Sequence, residues 1–272
     1  MAPASAGEQG RHPRVRLGGV EIDAVSEAET IETVLSGLAR GRGGWICPVN
    51  LDVLRRLAES SDLRDLVGAA DLVVADGAPL LWANRIAGGP RLPERVAGST
   101  LVTTLTAGCA KADRTVFMLG GSPGAAEGAA ARLRAEHPTL RVLGTLCPPM
   151  GFERDPDQLA AIEERLRSLA PDVVYVALGF PKQDHLALGL RRVLPGAWFL
   201  SCGISLSFVA GDVTRAPRWV QVLGLEWLHR LAQEPRRLAR RYLVEDPPFL
   251  VGLMARAAWA GARRRLTGPE TD

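Results

Sequence analysis

Lysine is almost missing from this 272-residue chain: of its 33 basic residues only Lys111 and Lys182 are lysines, a bias that suggests a GC-rich bacterial genome. Aromatic residues make up 5% and charged residues 23%, against 47% hydrophobic. Those proportions exclude a disordered chain and a disulfide-stapled miniprotein, and they do not suit a polytopic membrane protein. Cysteines are few and scattered. Cys47, Cys109, Cys147 and Cys202 form no C-x-x-C pair and no cluster with histidine, so neither a zinc site nor a disulfide frame is expected, and reduced, buried thiols in a cytoplasmic protein are.

Other absences narrow the field further. Residues 1–13 lack the apolar run of a signal peptide. One uncharged stretch, Val193 to Gly211, is long enough to cross a bilayer, but Pro195, Gly196, Gly203 and its three serines read as a buried strand with a loop. No G-x-G-x-x-G or Walker lysine is present, which argues against a nicotinamide oxidoreductase or a P-loop enzyme. No G-x-S-x-G elbow supports a serine hydrolase. His12, His137, His185 and His229 show no metal-ligand spacing.

What is present begins with the charge. The net value of +3 at pH 7 is too small to point to nucleic acid, but it is unevenly spread. Residues 1–211 carry 22 basic against 23 acidic residues, and residues 212–272 carry 11 against 7. The basic excess lies wholly in the last quarter of the chain.

Periodicity alternates between short apolar runs and amphipathic helices. A hairpin turning at Gly18-Gly19 precedes a helix near Ser26 to Arg40. Apolar runs then follow at Trp45–Val49, Leu72–Ala75, Thr115–Leu119, Leu140–Leu143, Val173–Leu178 and Trp198–Cys202, with helices between them. This pattern predicts an α/β fold: a mostly parallel, Rossmann-like sheet with helices on both faces. From Asp212 the chain turns helical, aromatic and arginine-rich, with Pro235 and Pro247-Pro248 dividing it. The expected organisation is a flexible leader over residues 1–14, an α/β domain over 15–211, and a basic helical appendage over 212–272.

Loops after the strands hold the candidate site, since ligands of such sheets bind beyond the strands' carboxyl ends. Asp76 follows one strand and precedes Gly77, where a carboxylate serves either as general base or as helix N-cap. Gly120-Gly121-Ser122-Pro123-Gly124 joins a strand to a helix, and reads either as a phosphate cradle or as a tight turn. Gly179-Phe180-Pro181-Lys182-Gln183-Asp184 follows another strand. Lys182 can neutralise phosphate there and Gln183 can bind a base or sugar, or both are solvated residues at a helix start. Arg95, in Pro93-Glu94-Arg95-Val96-Ala97-Gly98-Ser99, suits a phosphate, with Gly98 offering backbone donors, or else pairs with Glu94 or Asp76. Nine arginines between Trp227 and Leu266, interleaved with aromatics, suit an anionic membrane surface better than nucleic acid.

In order, Pro48-Val49-Asn50, Ala75-Asp76-Gly77-Ala78-Pro79, Pro93 to Ser99, Leu119 to Gly124, Gly179 to Asp184, Ala210-Gly211, Arg215-Ala216-Pro217, Gly224 to Arg230 and Glu234-Pro235-Arg236-Arg237 resemble the WecG/TagA/CpsF family of bacterial glycosyltransferases. The resemblance covers roughly residues 15–245. It implies inverting, metal-independent transfer, with no cofactor, of an N-acetylmannosamine-type sugar from a UDP-sugar. The acceptor would be a polyprenyl-diphosphate-linked saccharide at the inner face of the cell membrane. It assigns Asp76 as general base, Asn50, Arg95 and Gln183 to the pocket, and Arg215 and Arg230 to an appendage that closes over the site. A homo-oligomer is left open, as is a nucleotide-sugar-binding protein with weak or no transferase activity. The chain departs from the family pattern in having Pro48 where some members have Thr, Ser207 where many have Asp, and Asp184 where Glu is commoner.

Overall fold

The computed structural model describes residues 12–214, 216–217, 220 and 226–267. The hairpin of β1 (Arg14–Leu17) and β2 (Val20–Asp23) turns at Gly18-Gly19, both at positive φ. Asp23 ties it to the body by accepting from the Val73 N–H at 2.7 Å. Helix α1 (Glu27–Ala39) starts at a capping box in which Ser26 and Glu29 satisfy each other's backbone N–H.

Next come β3 (Gly44–Val49), α2 (Leu51–Glu59), α3 (Ser61–Gly68), β4 (Leu72–Ala75), α4 (Ala78–Ala87) and α5 (Gly98–Lys111). They lead into β5 (Thr115–Gly120), α6 (Ala125–Glu136), β6 (Arg141–Leu146), a 3-10 turn (Phe152–Arg154) and α7 (Pro156–Leu169). The α/β part closes with β7 (Val173–Ala177), α8 (Lys182–Val193), β8 (Trp198–Ser201) and α9 (Ser205–Ala210). Strands β3 to β8 form one six-stranded parallel sheet in the order β4-β3-β8-β7-β5-β6.

Alternation along the strands divides the core in two. Trp45, Cys47 and Val49 of β3 join one cluster with Leu54, Leu80, Phe117 and Phe199. Ile46 faces the other way, with Val74, Leu101, Met118, Tyr175 and Leu200. Both sheet faces are therefore covered, as the continuous apolar strands foretold. The uncharged stretch from Val193 resolves into β8, a Cys202-Gly203 turn and α9, not a span. Among the described residues no helix is long and apolar enough to cross a membrane.

Helices α10 (Glu226–Gln233), α11 (Pro235–Arg240) and α12 (Asp246–Thr267), with a π-helical turn at Arg241–Glu245, make up the described C-terminal part. Pro235 opens α11, and Pro247-Pro248 stand in the first turn of α12, where proline is tolerated, so the prolines divide this segment as expected. Helix α12 docks on the body: Leu253 and Ala257 are buried in the same cluster as Leu80 and Ala83 of α4. Cys47, Cys109 and Cys202 are buried thiols, but Cys147 is only half-buried, because it lies beyond the open edge strand β6.

Candidate active site

The sheet order brings most of the candidate loops along one line at the carboxyl ends of the strands. Asp76 follows β4, and Asn50 follows the neighbouring β3, whose Val49 is in register with Ala75. The Asp76 N–H donates to the Val49 carbonyl at 2.8 Å, and Gly77 adopts φ 144°, a backbone that favours glycine. The Asp76 carboxylate Oδ2 accepts from the Gly98 N–H at 3.4 Å, at the first turn of α5. That distance is at the long end for such a bond, and it sets the Asp76 carboxylate at the positive end of α5.

Asn50 is the N-cap of α2, its Oδ1 accepting from the Val53 N–H at 3.1 Å. Gly98 also lies against the strand ends: a Cβ there would come within 3.3 Å of the Pro48 ring and 3.7 Å of the Cys202 Cα. Pro48, one of the three departures from the pattern the sequence resembles, thus forms part of the floor under α5.

On the other side of β8 lies a second group. Gly120 and Gly121 both have positive φ, and a Cβ on Gly120 would come within 2.5 Å of the Ala177 carbonyl oxygen at the end of β7. Only glycine fits so close an approach. The Gly121 N–H donates to that same carbonyl at 2.7 Å. Ser122 Oγ lies 3.2 Å from Ser207 Oγ and donates to Asp212 Oδ2 at 3.3 Å. A carboxylate thus reaches the Ser122–Ser207 pair from five residues further along the chain. Sequence reasoning missed Asp212, since only its spacing from Ser207 hinted at it.

Gln183 is 7% exposed, so it is not the solvated residue its place at a helix start allowed. Its Oε1 accepts from the Gly179 N–H at 3.2 Å and from the Gly203 N–H at 2.9 Å, joining the loops after β7 and β8. Lys182 pairs with Glu153 at 2.8 Å, and this contact holds the Glu153 carboxyl below its usual range. Arg56 of α2 supports the same loop by donating to the Phe180 carbonyl at 2.9 Å and lying 4.8 Å from the Phe180 ring centroid.

Beneath Gln183 the structure buries a carboxylate. Asp184 has no exposed surface, and its Oδ1 accepts from the Cys47 thiol at 3.5 Å. Ser201 also donates to it, while the Trp45 indole N–H donates to Ser201 Oγ at 2.9 Å. Burial pushes the Asp184 carboxyl up to about 6, against the pull of those donors. Burial, with Asp184 beside it, also pushes the Cys47 thiol up. This network sits on β3, β8 and α8 directly below the loops.

The C-terminal part reaches the same edge. Arg95 pairs with Glu226 of α10 at 2.9 Å, a partner 131 residues away and neither of the two weighed from sequence. Glu94 instead accepts from the Glu27 N–H at the start of α1. Arg230 lies 5.8 Å from the Phe208 ring centroid of α9, with its Nε buried. Arg215 lies outside the described residues. Arg241, which no sequence motif singled out, reaches Asn50 Oδ1 at 3.5 Å and Asp52 at 3.4 Å.

Asp76, Asn50 and Gly98 therefore stand together, Gly120 to Ser122 and Gly179 to Gln183 stand together, and the β8 turn lies between the two groups. Arg95 and Lys182 are each neutralised by a carboxylate, so a phosphate would have to displace Glu226 or Glu153 to reach them. A protein-family model described as the glycosyl transferase WecG/TagA/CpsF family matches residues 15–264, nearly the whole chain, and the chain belongs to that family.

Proposed function

We propose that this member of the WecG/TagA/CpsF glycosyltransferase family transfers a sugar, with inversion, from a UDP-sugar to a polyprenyl-diphosphate-linked saccharide, with Asp76 as the general base. The observation that carries the reading is the Asp76 carboxylate, half-buried at the carboxyl end of β4 beside Asn50 and the first turn of α5. Asp76 takes the proton of the acceptor hydroxyl. That oxygen forms the new bond to the anomeric carbon while the bond to the UDP oxygen breaks on the opposite face, which inverts the centre.

Charge on the leaving diphosphate needs donors fixed in advance. The first turn of α6, just past the Gly120 to Gly124 loop, offers backbone N–H groups, and Arg230 and Arg215 bring cations from the C-terminal part. With arginines in that role the transfer runs without a divalent metal. Gln183 keeps the Gly179 and Gly203 turns at the spacing a nucleotide would meet. The donor proposed is of the N-acetylmannosamine type. The setting is cell-surface polysaccharide synthesis at the inner face of the membrane, where the basic C-terminal segment meets anionic lipid.

The test is a panel of nucleotide sugars offered with a short-chain polyprenyl-diphosphate-linked sugar, following release of the nucleoside diphosphate. Release of UDP from an N-acetylhexosamine donor, dependent on acceptor, is the expected result. UDP binding by calorimetry with no turnover across the panel would instead assign the chain as a nucleotide-sugar-binding protein.

A further inference from the structure

Two helices beside the candidate site turn large apolar side chains outward. On α4, which begins two residues after Asp76, Trp82 and Ile86 are each 42% exposed. On α12, Val251 is 70%, Trp259 64% and Leu266 86% exposed. Positions 251, 255, 259, 262 and 266 of α12 hold Val, Ala, Trp, Ala and Leu, all exposed. At about 100° per residue they form one stripe, with the buried line of Leu253, Ala257 and Gly261 on the opposite side.

The two helices touch through that buried line. A Cβ on Gly261 would run into the carbonyl oxygen of Ile86, and the Arg264 guanidinium lies over Gly89, just past the end of α4. The same angular count sets Arg256 and Arg263 along one border of the stripe and Arg265 along the other. The Arg263 guanidinium lies 4.8 Å from the Trp259 ring centroid.

Charge chooses the occupant. Helix α4 and residues 247–267 together carry five arginines, Arg85, Arg256, Arg263, Arg264 and Arg265, and no Asp or Glu. A second copy of the chain, docked through the same face by two-fold symmetry, would set this cationic rim against its equal. An anionic bilayer meets both the arginines and the apolar stripe, and tryptophan suits the headgroup level between them.

We propose that α4 and α12 form one platform that lies on an anionic bilayer, so that the α/β body itself, and not the C-terminal segment alone, contacts lipid through Trp82 and Ile86. The proposal rests on the reading of a lipid-linked acceptor and specifies how that reading's membrane is met. Because α4 is one of the two helices on the lipid and starts next to Asp76, the platform holds the proposed base within about 15 Å, one length of α4, of the surface.

The test uses the full chain with vesicles of phosphatidylglycerol and phosphatidylcholine, some with brominated acyl chains that quench nearby indoles. Trp82→Phe and Trp259→Phe should each remove part of the quenchable fluorescence. Trp82→Glu and Val251→Glu should each weaken co-sedimentation at least tenfold, with unchanged circular dichroism. Quenching lost only in Trp259→Phe would leave α12 as the sole lipid contact and overturn the platform. So would loss in neither variant, or a dimer in solution that Trp82→Glu dissociates. Transfer to a short-chain acceptor without vesicles is measured alongside. Transfer that persists while Trp82→Glu still binds vesicles fully sinks the platform alone; vesicle binding as expected with no transfer sinks the glycosyltransferase reading alone.

Discussion

Burying Asp184 beneath the strand-end loops costs the fold stability once the carboxyl ionises. Its carboxyl titrates at about 6 in the folded chain against an ordinary 3.8, with burial the chief cause. The folded state thus holds this proton more tightly than the unfolded one. The group's contribution is fully present below the unfolded value, shrinks as pH rises through about 6, and is gone above it. A shift of this size corresponds to about 3 kcal/mol. Asp184→Asn should therefore flatten the pH dependence of the thermal midpoint between about pH 4 and pH 7, and leave the variant at least as stable as the parent near neutrality. A variant that keeps the parent's slope would contradict this. Motif order made Lys182 and Gln183 legible as candidates, and Asp76, Asn50 and Gly98 meet as the strand-end positions suggested. Burial was not legible: a charged residue at the start of a helix reads as solvated, whereas α8 turns Gln183 and Asp184 inward beneath β3 and β8. The partner of Arg95 was hidden for another reason, since Glu226 comes from a helix whose docking no local pattern encodes.

Helix α12 is held to the body at two places, and each yields a prediction. Arg55 of α2 pairs with Asp52 at 2.9 Å, with Glu245 at 3.0 Å and with Asp246 at 3.3 Å, while Arg241 shares Asp52 and Asp246 from the C-terminal side. Asp246 is 5% exposed. Arg55→Ala would leave Asp52 and Asp246 to Arg241 and Glu245 to Arg240, and should lower stability by about 3 kcal/mol in urea melts. At the second place, Gly261 lets the two helix backbones approach. Gly261→Val should push α12 from α4, seen as faster amide exchange in both helices and a loss of about 1 to 3 kcal/mol. Unchanged exchange in α4 would mean that the two helices do not depend on each other. Five of the six parallel strands were legible as short apolar runs between breakers, and the Gly18-Gly19 hairpin for its turn residues; β6 was read as Leu140–Leu143 but spans Arg141–Leu146, because Gly144 and Thr145 interrupt its apolar run at the sheet edge. The docking of α12 was not. Its sequence is apolar on two sides, and only contact with α4 shows which side is core.

Across the whole molecule, the near-neutral total conceals a body of balanced charge and a basic C-terminal part. Removing everything after Gly211 would uncover Leu80 and Ala83 by taking away Leu253 and Ala257. Such a truncation should lower the thermal midpoint as well as vesicle binding, so point variants separate lipid contact from folding. If arginines meet the leaving diphosphate, transfer should persist in excess chelator, and loss of activity restored by a divalent metal would refute that role. Asp76 is proposed to remove the acceptor's proton. The most direct measurement compares the parent with Asp76→Asn for both acceptor-dependent UDP release and UDP affinity by calorimetry. Release should fall ~100- to 10,000-fold while affinity stays within about twofold. Near-full transfer by Asp76→Asn with UDP binding intact would contradict it.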